Sequence, residues 1–354
     1  MTVPKPLSVL SVAYPFAPVR TDPVGGAEQI LSSLDRALID AGHRSTVIAA
    51  ADSRVAGRLC AIPVVHGAID ATQRESAHRA VRMAMSEVLT RESVDVIHLH
   101  GLDFFEYLPA PGVPVLVTLH LPLDLYPEAI LRRPPRGLWL LPVSASQARS
   151  LADLPLLSPI ENGVDLPAPK PHARRGYALA LGRVCPEKNF ADALDAARGA
   201  GCPLLLAGRV YDYPEHRQYF AREISPRLDR SRRWIGWIGG ARKRRLLAGA
   251  GCVLIPSRIA ETSSLVAMEA LAAGVPVIAY PAGALPDIVE HGRTGFIAED
   301  VLSMTRAIRA AAQIDPEDCR RAARERFRAQ RMTREYFALY ERLAAAGPSQ
   351  SSYP

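Results

Sequence analysis

The chain is poor in the features that mark several function classes. Its 354 residues include five cysteines, Cys60, Cys185, Cys202, Cys252 and Cys319. The number is odd and no pair has C-x-x-C spacing. This argues against a disulfide framework or a cysteine zinc site and for reduced thiols in the cytoplasm. No run of about 18 or more uncharged apolar residues occurs, so no membrane-spanning helix is expected. The apolar stretch 7–13 has the length of a strand, is short for a secretory h-region, and has no clean cleavage site after it. There is no D-x-D to advertise a metal-chelated diphosphate, and no G-x-G-x-x-G, so the dinucleotide fingerprint fails.

What is present suits a globular α/β protein. Hydrophobic residues make up 48% and charged residues 22%, enough apolar material for two cores. The length predicts two domains. Net charge is +7, with basic clusters at Arg132-Arg133-Pro134-Pro135-Arg136, at 230–233 and at 242–245. A nucleic-acid binder, an enzyme working at an anionic membrane, or a plain solvated basic face would each look like this.

Short β-branched runs alternate with helical patterns. Strands are predicted at 7–13, 45–50, 61–65, 94–99, 115–119 and 140–143. Between the first two, Ile30, Leu31, Leu34, Leu38 and Ala41 fall on one helical stripe, which Gly42 closes. The alternation implies βαβ units and a parallel sheet. Pro167, Pro169 and Pro171, with His172, Arg174 and Arg175, read as a semi-rigid linker. The pattern then restarts, with strands at 177–181, 203–207, 233–236, 251–255 and 275–280. Residues 316–346 read as one or two closing helices. The expected division is 1–165 and 166–330 as two Rossmann-like domains, 331–346 as a closing helix, and 347–354 as a disordered tail.

Four groups of residues carry candidate chemistry. Gly25-Gly26-Ala27-Glu28 follows the first strand and opens the first helix. Glycines allow close approach of a ligand, and a helix N-terminus favours an anion. Gly182-Arg183-Val184-Cys185-Pro186-Glu187-Lys188-Asn189 follows the first strand of the second domain, at the sheet edge where open α/β sheets bind ligands. There Arg183 as a fork and Lys188 as a point charge would clamp a diphosphate, unless Arg183 is spent in a surface ion pair with Glu187. The most specific segment runs from Glu261 to Glu269. Thr262, Ser263 or Ser264 would cap a helix starting at Leu265. Two turns of helix would separate the glutamates by about 10–12 Å. That is too far for a hydrolase pair at about 5–9.5 Å, but it suits two contacts along one extended ligand. Finally, His98, His100 and His120 end two strands. A zinc site there lacks H-E-x-x-H or carboxylate spacing, and no metal is expected.

In this order the anchors resemble those of the retaining glycosyltransferases of family 4, which have the GT-B fold. They are Gly25-Gly26-Ala27-Glu28, Asp95 to His100, Val117 to His120, Glu161-Asn162-Gly163-Val164-Asp165, Leu181-Gly182-Arg183 with Glu187-Lys188, Pro256-Ser257, and Glu261 through Glu269 to Ala279. The resemblance spans nearly the whole chain. It implies two Rossmann-like domains facing across a cleft that closes on a nucleotide-diphosphate sugar. Gly25 and Gly26 would approach the donor phosphates and His120 the donor sugar. Arg183 and Lys188 would neutralise the leaving diphosphate. Glu261 would hold sugar hydroxyls and Glu269 the ribose. Gly182, Ser263, Ser264 and Leu265 would join them in donor binding. No cofactor is implied beyond a UDP-, GDP- or ADP-sugar co-substrate, and no metal. The acceptor would be a lipid, a polysaccharide or a small metabolite, with an anionic membrane as a candidate peripheral contact and nucleic acid disfavoured. Two departures bear on the sugar rather than the reaction: Thr262-Ser263-Ser264 stands where many relatives have Gly-Phe-Gly, and Asn189 where glycine is common. Two other classes stay open. One is a nucleotide-sugar epimerase, for which Asp103, Glu106 or Asp124 would supply acid and base. The other is a non-catalytic nucleotide or nucleic-acid binder.

Overall fold

A computed structural model describes residues 6–20, 25–65, 67, 69–150, 153–166 and 176–347. The linker prolines and the tail from 348 lie outside the described residues. The chain forms two units: 1–161 with 330–354, and 162–329.

The first unit is built on six parallel strands. They are β1 (Ser8–Val12), β2 (Arg44–Ala50), β3 (Arg58–Ile62), β4 (Val96–Leu99), β5 (Val115–Leu119) and β6 (Leu138–Pro142), in the order β3-β2-β1-β4-β5-β6. β1, β4, β5 and β6 are buried along their whole length, as a parallel sheet covered on both faces requires. Helices α1 (Gly26–Asp40), α2 (Ala71–Arg91) and α3 (Glu128–Arg132) connect strands of this sheet, and α4 (Ala145–Ser150) follows β6. On α1 the stripe Ile30, Leu31, Leu34 and Leu38 is buried as expected, and Gly42 follows the helix with φ 79°. Ala41 is a correction: it is the C-cap and lies exposed. α2 starts on a capping box between Asp70 and Gln73. The strand expected at 61–65 lies earlier, because Pro63 has no N–H to continue the ladder with β2.

The second unit repeats the plan with β7 (Ala178–Leu181), β8 (Leu204–Ala207), β9 (Arg232–Trp234), β10 (Cys252–Ile255), β11 (Val277–Ala279) and β12 (Gly295–Ile297). Their order is β12-β11-β10-β7-β8-β9, again all parallel. β12 had no counterpart in the sequence reading. Its helices are α5 (Phe190–Ala200), α6 (Pro214–Tyr219), α7 (Gly240–Gly249), α8 (Leu265–Ala272), α9 (Leu285–Ile288), α10 (Val301–Ala310) and α11 (Pro316–Arg326). The last helix, α12 (Ala329–Ala346), belongs to the first unit from Gln330 onward. No described helix is long and apolar enough to cross a membrane.

In each sheet the chain builds outward from its first strand, then returns to build on the other side. The strand order therefore reverses between β1 and β4, and again between β7 and β10. Loops leaving the carboxyl ends of adjacent strands diverge at such a point and leave room for a ligand.

Candidate active site

In the second unit the loops after β7 and β10 flank the switch point. Gly182 leaves β7 with φ 153° and Arg183 follows it, exposed. Among the described residues Arg183 makes no direct ion pair with Glu187, although its charge acts on that carboxylate. A short turn, Pro186–Lys188, leads into Asn189, whose φ of 50° and ψ of 43° are left-handed. Asparagine is one of the few side chains that tolerate this region, which explains how it replaces glycine here. Its amide Nδ2 also donates to Asp192 Oδ2 at 2.6 Å in the first turn of α5.

The turn is fastened to the loop after β10. Arg258 N donates to Glu187 O at 2.9 Å. Lys188 Nζ lies 2.5 Å from Glu261 Oε1, and Ser257 Oγ donates to the same oxygen. The Lys188 and Glu261 side chains are only 21% and 10% exposed, so the pair is largely withdrawn from water. Glu261 precedes α8 rather than lying on it, so the helical rise used to place it against Glu269 does not apply from 261 to 264. Of the three expected caps the structure uses Ser264, whose Oγ accepts from Ala267 N at 3.4 Å. Ser263 Oγ is buried and has no hydrogen-bond partner. Further along α8, Glu269 accepts from Lys243 Nζ of α7 at 2.7 Å. Lys243 and Ser257 are functional candidates that sequence reasoning missed. Lys243 was hidden in the run Arg242-Lys243-Arg244-Arg245, which reads as a solvated basic face.

In the first unit the loops after β1, β4 and β5 carry the remaining candidates. Gly25 is the N-cap of α1, with no side-chain cap. The carboxylate of Glu28 lies over it, with Oε2 where a Cβ on residue 25 would collide. Glu28 is buried, and burial raises its pKa against the opposing hydrogen bond from its own N–H. A carboxylate of the chain itself thus lies beside the helix end to which the sequence assigns a phosphate.

The three histidines divide into two roles. His98 Nδ1 is 2.7 Å from Tyr340 Oη and its Nε2 2.7 Å from Thr118 Oγ1, which is itself 3.1 Å from Tyr336 Oη. Both nitrogens are used internally, so His98 is structural. The His100 ring lies tilted against it, with centroids 3.9 Å apart, stacks on His120 instead, and places Nδ1 3.0 Å from His120 Nε2. The second nitrogen of His100, Nε2, is buried without a hydrogen-bond partner. Burial holds the pKa of all three low, that of His120 at about 3. They are neutral imidazoles at physiological pH, fit for hydrogen bonding rather than for carrying charge. Among the described residues they do not bring three ring nitrogens within 4.8 Å of one another, as a zinc site would need. Asp103, a candidate acid or base, accepts from Tyr107 Oη at 2.9 Å and lies 2.6 Å from His78 Nε2.

Known proteins carry the same pattern. Residues 175–313 match the family described as glycosyl transferases group 1, and residues 24–167 match glycosyltransferase family 4. Together the two matches take in most of the chain. A glycogen synthase of Mycobacterium tuberculosis is 29% identical over 177 residues, 47% of this chain and 42% of that protein, so the chain aligns with less than half the length of that relative. The phosphatidyl-myo-inositol mannosyltransferase of Mycolicibacterium smegmatis is 26% identical over 375 residues, 93% of each chain. The crystal structure of AviGT4, a glycosyltransferase involved in avilamycin A biosynthesis, superimposes with a TM-score of 0.70 at 24% identity, covering 96% of this chain and 98% of that one. Two six-stranded parallel sheets of the same strand order, each matched by its own family model, make this chain a member of the group 1, family 4 glycosyltransferases, with the GT-B fold.

Proposed function

We propose that the protein transfers a sugar from a nucleotide-diphosphate-sugar donor to an acceptor, with retention of anomeric configuration and without a metal ion chelated to the diphosphate. The observation that carries this reading is the paired set at the second switch point: Lys188 with Glu261 and Lys243 with Glu269, beside the unpartnered Ser263 Oγ at the start of α8. Each pair holds a cation and a carboxylate in place before any ligand arrives. A diphosphate and a set of sugar hydroxyls would complement them, the anion taking up the lysine and the hydroxyls donating to the carboxylate.

In this reading Arg183 and Lys188 neutralise the diphosphate as it leaves. Glu261 and Glu269 orient sugar and ribose hydroxyls, and Gly182, Ser263, Ser264 and Leu265 line the donor phosphates. The first unit contributes Gly25, Gly26 and the neutral His120, which donates a hydrogen bond to the donor sugar. Rate acceleration then comes from positioning and from cations fixed where negative charge develops. Cations already held by the protein make a divalent ion on the diphosphate unnecessary. Of the three carboxylates that the epimerase alternative would draw on, Asp103 is engaged by His78 and Tyr107.

A thermal-shift screen of UDP, GDP, ADP and their common sugars, on the wild type and on Glu269→Ala, tests the proposal. One nucleotide should raise the melting temperature, and the variant should lose most of that rise. The shift should be the same in chelator as in Mn²⁺. No shift with any nucleotide, alongside salt-sensitive binding of nucleic acid, would replace this reading with the non-catalytic one.

A further inference from the structure

A second cluster lies within the turn that carries the clamp. Cys185 and Glu187 sit between Arg183 and Lys188, and α6 packs against this turn. The Cys185 Sγ, a Glu187 carboxylate oxygen and a His216 ring nitrogen all lie within 4.8 Å of one another. Cys185 is fully buried and His216 is 7% exposed. Two of the potential donor atoms, Glu187 Oε2 and His216 Nδ1, are buried with no hydrogen-bond partner. The Glu187 carboxylate also takes a hydrogen bond from the Cys185 thiol. A buried polar atom left unpaired is costly, so the two atoms without partners in this one cluster call for a ligand.

We propose that Cys185, Glu187 and His216 form a binding site for a zinc-type divalent ion. The donor set is one sulfur, one nitrogen and one oxygen. Thiolate and imidazole select zinc over magnesium or calcium, which take oxygen ligands. Zinc bonds of about 2.0–2.3 Å require the three atoms to contract by a fraction of their present spacing, and leave a fourth position for water. On binding, the Cys185 thiol releases its proton to solvent as the sulfur–metal bond forms. The ion would tie α6 to the segment between Arg183 and Lys188 and so stiffen the clamp. Its place is beside the clamp rather than on the diphosphate, which keeps it distinct from the metal-free transfer proposed above.

Titrating the metal-stripped full chain with Co²⁺ tests the site. A thiolate-to-cobalt charge-transfer band should grow to one equivalent and be displaced by Zn²⁺. Cys185→Ser should abolish it. Glu187→Gln and His216→Ala should each weaken binding by more than the roughly 10–100-fold that loss of an outer-shell partner costs. Cys202→Ser, a thiol outside the cluster, should leave the band intact. If His216→Ala does not fold, the near-isosteric Cys185→Ser and Glu187→Gln still decide the matter. No band in the wild type, or one of undiminished strength in either of these variants, overturns the proposal.

Discussion

Lys188 and Glu261 hold each other, and this sets how substitutions at either will read. Lys188→Ala removes a cation and also strands a carboxylate that is only 10% exposed, with a hydroxyl as its remaining partner. Arg183 is exposed, and its loss strands nothing comparable. We expect both alanine variants to lower turnover by at least ~10²-fold, as loss of a transition-state electrostatic contact does. Only Lys188→Ala should also lower the melting temperature. Steady-state kinetics beside calorimetry separates the two effects, and wild-type turnover in either variant would remove that residue from the clamp. At this scale the loops that carry Arg183, Lys188 and Glu261 were legible, because each follows an apolar strand run. Their partners were not. Lys243 meets Glu269 across 26 positions of chain, and no local pattern distinguishes it from the three arginines around it. The left-handed backbone at Asn189 was equally invisible, although it explains the exchange for glycine.

At the scale of elements, the histidine cluster ties β4 and β5 to α12. Tyr336 and Tyr340 are fully buried, and their hydroxyls end the chain of contacts through Thr118 and His98. This has a pH consequence. His120 titrates near 3 in the folded protein and about 6.5 when unfolded. Between those values the unfolded chain binds the extra proton, so stability falls as pH falls through that window and is fully present above it. His120 alone should contribute a slope of about 1.4 kcal/mol per pH unit, and His98 and His100 act in the same direction. Melting temperatures from pH 7 down to 4.5 should decline, and His120→Gln should flatten the decline. An unchanged slope in that variant would mean that His120 charges in the folded state. Strands on the buried sheets were readable from their apolar runs, with ends displaced by a residue or two. The exceptions are physical. β3 is an edge strand with two of its five residues exposed, and β12 has three residues and begins with a glycine.

Across the whole molecule, the two-unit α/β plan was legible because the strand–helix alternation stops and restarts. The membership of α12 was not. The sequence sets 331–346 apart as a closing helix of neither domain, whereas the residues from Gln330 onward belong to the first unit. What assigns it is tertiary: two tyrosine hydroxyls that complete a buried network some two hundred residues away. Removing 330–354 should therefore leave hydrogen-exchange protection in β10 and β11 intact. Protection in β4 and β5 should collapse, since His98 and Thr118 would lose partners inside an apolar core. Equal loss in both units would show that they depend on each other for stability.

The same return of the chain bears on how the protein is made. The second unit is one unbroken stretch and has all it needs to fold soon after residue 329 has left the ribosome. The first unit is translated earlier, yet the side of its sheet next to His98 stays open until Tyr340 emerges, roughly 180 residues after Glu161. At about 5–20 residues per second, that is a wait on the order of ten seconds or more. During it, His98 and Thr118 lack their tyrosine partners. The half that is synthesised first is the half that is finished last.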